Sequence, residues 1–278
     1  MSPPQRVAVV TGSNKGIGFA AVRALCKQLD NGVVYLTSRN EERGKEAVAK
    51  LNKEGLKPQF HQLDIDDRTS VERLRDYLKK TYGGLDILIN NAGIAFKASS
   101  TEPFGSQATI TMATNYTATI DACKILIPVI KPGGRVVSVA SFTGKMAFDK
   151  MSKENQDRLT ATKTEEDVAL LMKEFVEIAN QGDHLSKGWP NSAYGTTKLG
   201  VIAATKALAQ KKQNENPKDD ILIMACCPGY VDTDMSSHKG PKTPDEGADT
   251  PVYLAMLPPG SAGFNGNMYS DRALDNSW

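Results

Sequence analysis

With 278 residues, 40% of them hydrophobic, the chain is long enough to bury a sizeable core as one large α/β domain or two small ones. Its 34 basic and 32 acidic residues leave a formal charge of only +2, without the excess expected of a nucleic-acid or anionic-membrane binder. Four cysteines (Cys26, Cys123, Cys226, Cys227) and three histidines (His61, His184, His238) form neither a disulfide framework nor a zinc spacing, which points to reduced thiols and no metal centre.

From the start, Met1 to Arg6 runs into a strand-like segment without a basic-then-apolar leader. No apolar run reaches membrane-spanning length, and Asn276-Ser277-Trp278 carries no retention signal, so a cytoplasmic protein is expected. Val7-Ala8-Val9-Val10 is a short continuous apolar run, as expected of a strand buried on both faces. It is followed by Thr11-Gly12-Ser13-Asn14-Lys15-Gly16-Ile17-Gly18, and then by helical apolar spacing from Ile17 to Leu29. Glycines 12, 16 and 18 permit a tight turn and close approach of backbone to a pyrophosphate, while the next helix offers free N–H groups and its positive dipole end. The spacing is G-x3-G-x-G rather than G-x-G-x-x-G, and its strand-turn-helix setting predicts dinucleotide binding.

A second β-branched run, Val33 to Thr37, leads to Ser38-Arg39. The acidic residue that would bond a ribose 2′-hydroxyl about 20 positions beyond the glycines is absent there. Lys15 and Arg39 instead suit a 2′-phosphate, predicting NADPH over NADH. The alternation continues with a helix over Glu41 to Lys53, a strand over Phe60 to Leu63, a helix over Ser70 to Tyr82 and a strand over Asp86 to Ile89. A helix over Ile110 to Leu126, a strand over Arg135 to Val139, another over Ile221 to Ala225 and a last one near Asn267 to Ser270 complete it. Repeated β-α-β units predict a Rossmann-type, doubly wound parallel sheet covered by helices on both sides. The segment from Lys145 to Pro190 breaks the rhythm. It holds one amphipathic helix, Glu165 to Ala179, with Thr164 as N-cap, and is read as an insertion into a single domain spanning 1–278.

After the insertion comes Tyr194-Gly195-Thr196-Thr197-Lys198, in a helix over Asn191 to Leu208. Positions i and i+4 share a helix face, so a phenol and an ammonium sit side by side. An adjacent cation favours the phenolate and eases proton donation, making Tyr194 a candidate general acid.

The glycine turn, Asn90-Asn91-Ala92-Gly93 after the fourth strand, Ser141 after the fifth and Tyr194…Lys198 occur in an order that resembles the classical short-chain dehydrogenase/reductases. Over nearly the whole chain, segments such as Phe60 to Asp67, Gly188-Trp189-Pro190, Ala225 to Gly229 and Thr250 to Ala255 are similar to the animal cytosolic NADPH-dependent carbonyl reductases. The resemblance implies a catalytic tetrad of Asn115, Ser141, Tyr194 and Lys198. Tyr194 donates a proton to the carbonyl oxygen, Ser141 hydrogen-bonds that oxygen, Lys198 lowers the Tyr194 pKa and bonds the nicotinamide ribose, and Asn115 holds a relay water.

The resemblance also implies a cofactor site. Gly12, Asn14, Lys15, Gly16, Ile17, Gly18 and Arg39 would be joined by Asp64 and Ile65 near the adenine, by Asn91, Ala92 and Gly93 along the adenosine and diphosphate, and by Pro228, Gly229, Val231 and Thr233 around the nicotinamide, with Tyr194 and Lys198. Ser141, Tyr194, Trp189 and Tyr230 are the implied substrate contacts. The expected activity is NADPH-dependent reduction of aldehydes, ketones and quinones, with glutathione or its conjugates as further partners. Alternatives are a dedicated reductase for one steroid, prostaglandin, pterin or terpenoid ketone, and a non-catalytic NADPH-binding regulator. The long insertion before Tyr194 implies a monomer. For Cys226 and Cys227, reactive thiols beside the site and buried inert ones are equally compatible with the sequence.

Overall fold

In the computed structural model, which describes residues 5–275, eight strands form one sheet. They are β1 (Arg6–Val10), β2 (Gly32–Ser38), β3 (Gln59–Gln62), β4 (Leu85–Asn90), β5 (Ile130–Val139), β6 (Leu222–Cys227), β7 (Met268–Ser270) and β8 (Ala273–Leu274), in spatial order 3-2-1-4-5-6-7-8. Every neighbouring pair is parallel except β7 and β8. The chain winds outward from β1 to β3, then crosses back to build from β4 in the other direction. The loops after β1 and β4 therefore diverge at the point where open α/β sheets place their ligands.

Both faces are covered, which is why the strands read as unbroken apolar runs rather than alternating ones. On one face Val10, Leu36, Ile89 and Val137 meet helices α1 (Gly16–Gln28), α2 (Glu41–Lys53) and α10 (Pro244–Ala255). On the other, Val9, Leu88 and Val136 meet α3 (Arg68–Tyr82), α5 (Thr119–Leu126) and α9 (Ala193–Glu215).

The structure departs from the sequence reading in several places. The helix expected over 110–126 begins earlier, as α4 (Phe104–Met112), and passes through a wide π-type turn at Ala113–Ala118 before α5. A second missed helix is α6 (Phe142–Asp149), capped by the Ser141 hydroxyl accepting from Thr143 N at 3.2 Å. Next comes α7 (Lys153–Thr160), capped by Ser152. The α10 helix also went unread, because Gly247 and Pro251 mask it, although its start is a capping box of Thr243 and Glu246 with a proline at the first position.

The insertion contains the expected helix as α8 (Glu165–Gln181), with Thr164 and Asp167 forming a reciprocal capping box. Val168, Leu171, Met172, Phe175 and Ala179 turn inward. Phe175 stands edge-on to Phe104 of α4 at 6.2 Å and lies 5.3 Å from the ring of Trp189. This triad ties the insertion to the body of the protein. Phe175→Ala is predicted to lower stability by about 3–5 kcal/mol, whereas Leu170→Ala, at a site 69% exposed, stays within about 0.5 kcal/mol. Urea denaturation compares them, and equal midpoints for the two variants would show that the insertion is not anchored through this cluster.

Candidate active site

The glycine turn lies between the buried end of β1 and α1. Gly12 and Gly16 both have φ of +59°, a left-handed conformation that favours glycine. A Cβ on Gly12 would lie 2.8 Å from Ala92 Cα, and one on Gly18 2.4 Å from Asn91 Nδ2. Side chains at these positions would push the post-β1 and post-β4 loops apart. Thr11 holds them together, its hydroxyl accepting from Asn91 N and Ala92 N at 3.0 Å, while Asn91 Nδ2 returns bonds to the carbonyls of Thr11 and Gly12 at 3.0 Å. No side chain caps α1 at Lys15, so its first N–H groups are available to a phosphate. Lys15 and Arg39 are both exposed, and Asn14, Ile17, Asp64 and Ile65 are half-buried around the same end of the sheet.

The catalytic candidates converge at the ends of β4 and β5. Lys198 is 5% exposed, and its ammonium donates to the carbonyl of Val139 at 2.8 Å. It lies 5.7 Å from the centre of the Tyr194 ring, as the i, i+4 spacing on α9 requires. The Ser192 hydroxyl caps this helix by accepting from Gly195 N at 3.1 Å. Ser141 is buried and takes a bond from the Thr143 hydroxyl at 2.9 Å, and its hydroxyl acts to lower the pKa of the Tyr194 phenol. Asn115 sits in the π-type turn, 1% exposed. Its Oδ1 accepts from Ile94 N at 2.7 Å, and its Nδ2 donates to Ile94 O at 2.8 Å and to Thr197 Oγ1 at 3.3 Å. Both donors of this amide are thereby used, so Asn115 acts as a clamp that sets the Gly93-Ile94 loop against α9. A Cβ on Gly93 would stand 3.1 Å from Asn115 Oδ1 and 3.7 Å from Lys198 Nζ.

The electrostatics revise one expectation. Burial lowers the Lys198 pKa to about 8. Burial raises Tyr194 to about 12, with Cys227 adding to the rise and the Ser141 hydrogen bond opposing it. Desolvation therefore outweighs the expected depression of the phenol. Pro228 is buried, Gly229 half-buried and Tyr230 exposed after β6, with Val231 buried beyond them. Thr233 approaches the glycine turn, its Cγ2 lying 3.3 Å from where a Gly16 Cβ would be. The expectation for Trp189 fails: the indole is 1% exposed and packed on Phe175, so it belongs to the core that anchors the insertion. Cys226 and Cys227 are also buried, and burial raises both thiols, which favours the inert reading.

The profile of the short chain dehydrogenase family matches residues 6–153 and 182–244, skipping most of the insertion. This chain belongs to that family. It is 52% identical to carbonyl reductase [NADPH] 1 of Rattus norvegicus over 99% of both chains, and 51% identical to that of Homo sapiens over the same share. Carbonyl reductase [NADPH] 3 of Rattus norvegicus is 50% identical over 99% of both chains. Among solved structures, salutaridine reductase from Papaver somniferum superposes with a TM-score of 0.83 at 30% identity, covering 95% of this chain and 99% of its own. Menthone neomenthol reductase from Mentha piperita gives 0.78 at 29% identity, covering 96% and 99%.

Several supporting groups had no distinct sequence signal. Val139 contributes only a carbonyl, and Thr143 and Thr197 act through single hydroxyls. Lys97 and Asp234 lie far apart in sequence and meet only in the fold. Asp234 pairs with Lys15, and Lys97 binds the Asp234 carbonyl and, at 3.0 Å, the Ser237 hydroxyl. The Lys198 charge yields a direct test. Its pKa is about 8 in the fold against an ordinary 10.5, so below pH 8 its burial opposes folding by about 3 kcal/mol. Between those two values the unfolded chain binds more protons, and the opposition fades as pH rises. Lys198→Met is expected to be more stable than wild type at pH 7, less the loss of the Val139 bond, with the advantage shrinking towards pH 10.5. Urea midpoints at both pH values decide it, and an advantage that grows with pH would refute the buried-charge account.

Proposed function

We propose that this protein reduces carbonyl compounds to alcohols with NADPH, and that Tyr194, Ser141, Lys198 and Asn115 form its catalytic site. The observation that carries this reading is the buried Lys198 and Tyr194 pair beside Ser141, reached from the same sheet end as a glycine cradle with an uncapped helix start. Identity of about half over nearly the full length of both chains to NADPH carbonyl reductases supports it. The residues fit the cofactor. The start of α1 after the glycine turn carries no side-chain cap, and Lys15 and Arg39 supply two exposed cations for a 2′-phosphate. When bound, NADPH supplies the hydride for the carbonyl carbon.

The side chains do the rest. At neutral pH the Tyr194 phenol keeps its proton and can donate it to the carbonyl oxygen, while the Ser141 hydroxyl hydrogen-bonds the same oxygen and stabilises its developing charge. Lys198 would hold the ribose hydroxyls of the cofactor, and its ammonium balances the phenolate left on Tyr194. Asn115 is a positioning residue, tying Ile94 of the loop after β4 to Thr197 beside Lys198 in the chain. Phe142, Met146, Tyr230 and Met235 are large apolar side chains between 42% and 47% exposed, two of them adjacent in sequence to Ser141 and Gly229. They suit apolar ketones, aldehydes and quinones of varied shape.

A dedicated reductase for one terpenoid or alkaloid ketone is the second reading, favoured by the structural likeness to salutaridine and menthone neomenthol reductases. The retained Tyr194 and Lys198 argue against a non-catalytic regulator. No described helix is long and apolar enough to cross a membrane, consistent with work in the cytoplasm. The packing of α8 over α4 and α9 supports a monomer. We read residues 1–278 as one domain with an insertion at about 145–190.

NADPH oxidation at 340 nm with menadione, isatin, a prostaglandin and a steroid should show turnover of several unrelated carbonyls. Tyr194→Phe should lose at least about 100-fold in kcat, within the range for general acid catalysis. Turnover of a single compound would select the dedicated reductase, and a fully active Tyr194→Phe would remove Tyr194 from its role. For the cofactor, Arg39→Asp should raise the NADPH KM at least about tenfold and the NADH KM much less. Asp234→Asn, which frees Lys15 from its carboxylate partner, should lower the NADPH KM. An unchanged coenzyme preference in Arg39→Asp would overturn the 2′-phosphate assignment.

A further inference from the structure

Away from the cofactor cradle, α8 of the insertion lies beside α4, the π-type turn and α5, and a cavity of about 270 Å³ remains between them. Its walls include Met112, Tyr116, Ile120 and Met172, with Lys124 and Lys173 also lining it. Tyr116 is 3% exposed, and its hydroxyl is sealed from solvent with no hydrogen-bond partner among the described residues. A buried, unmatched hydroxyl is uncommon, because it loses its water bonds without replacement. Burial holds the phenol in its neutral form, and the nearby carboxylates Glu165, Glu166 and Asp121 act in the same direction. It is thus a proton donor without an acceptor. The same carboxylates disfavour an anion as that acceptor. Lys124 is already paired with Glu166 at 3.2 Å, and Lys173 lies 3.8 Å from Glu177, so the lining carries little free positive charge to offset them.

We infer that this cavity is a second ligand site, which takes a neutral, apolar molecule of one or two rings carrying a single acceptor oxygen that receives the Tyr116 hydroxyl. The volume lies at the small end of ligand sites, which suits a body of one or two rings. Met112 and Met172 are flexible and polarisable, so they can shift to admit a ring and let its oxygen reach the hydroxyl. The site shares a wall with the catalytic helix. A Cβ on Gly200 would lie 2.7 Å from Met172 Sδ and 2.8 Å from Tyr116 Cδ2, two residues beyond Lys198.

The test uses the NADP+-bound enzyme with ¹³C-methyl methionine and N,N-dimethylbenzamide, a neutral amide that a carbonyl reductase does not turn over. Saturable shifts of the Met112 and Met172 methyl signals are expected. Isopropylbenzene, which lacks the acceptor, and benzoate, which is charged, should each bind at least tenfold more weakly. Tyr116→Phe should keep its fold and weaken amide binding at least tenfold, and Ala169→Trp, which fills the cavity, should abolish it. Shifts confined to other methionines, equal binding of the three probes, or full affinity in both variants would overturn the assignment. Sedimentation of the ligand-free protein at twice its 30.1 kDa mass, lost in Ala169→Trp, would overturn it in favour of a second copy covering this face.

Discussion

The active end of this protein is organised around one buried ammonium. Lys198 leaves bulk water for a place where its bonded partner is a backbone carbonyl, that of Val139, and its nearest aromatic neighbour is the ring of Tyr194. A buried cation without a carboxylate partner is costly. Here the fall in the Lys198 pKa to about 8 expresses that cost. Burial moves Tyr194 the other way, to about 12. The shared environment thus sets the order of deprotonation, ammonium first and phenol second. At neutral pH both protons are in place. The expectation that the lysine would simply acidify the tyrosine missed the larger effect, which is that both groups are withdrawn from solvent.

Holding that ammonium requires the ends of two strands and one helix to stay in register. β5 and the residues just after it deliver Val139 and Ser141, α9 delivers Tyr194 and Lys198, and the loop after β4 brings Gly93 to where a Cβ would stand 3.1 Å from Asn115 Oδ1. Asn115 joins the last two through Ile94 and Thr197. It does so from a π-type turn. The extra residue in such a turn widens the helix locally, a feature frequent at functional sites. The cavity beside Tyr116, the next residue, lies in the same widened stretch.

What could be read from the sequence follows from which signals are local. The strands were legible because a sheet covered on both faces demands continuous apolar runs, and Val7 to Val10 and Ile87 to Ile89 supply them. The glycine turn and the Tyr194 and Lys198 pair were legible because each is a short spacing with a physical meaning. Thr164 was legible as a cap for the same reason. Trp189 was misread because a large aromatic near a motif looks the same whether it faces a substrate or a core, and only contact with Phe175 separates the two. The helix α6 was hidden because its cap is Ser141, whose hydroxyl was assigned to chemistry alone. In the fold it caps α6 at Thr143 N and also opposes the rise of the Tyr194 pKa.

The contact between Lys15 and Asp234 could not have been read at all, since 219 positions separate the partners. The chain between Val231 and Lys242, which pair as an isolated parallel bridge, leaves and returns at one point. Within this excursion Ser237 and His238 have positive φ, a conformation that is strained for residues with side chains. His238 bonds Asp232 at 2.7 Å and Asp234 at 3.1 Å, and Asp232 leads the interactions that raise its pKa. Asp234 therefore has two cationic claimants, Lys15 from the glycine turn and the imidazolium from its own loop.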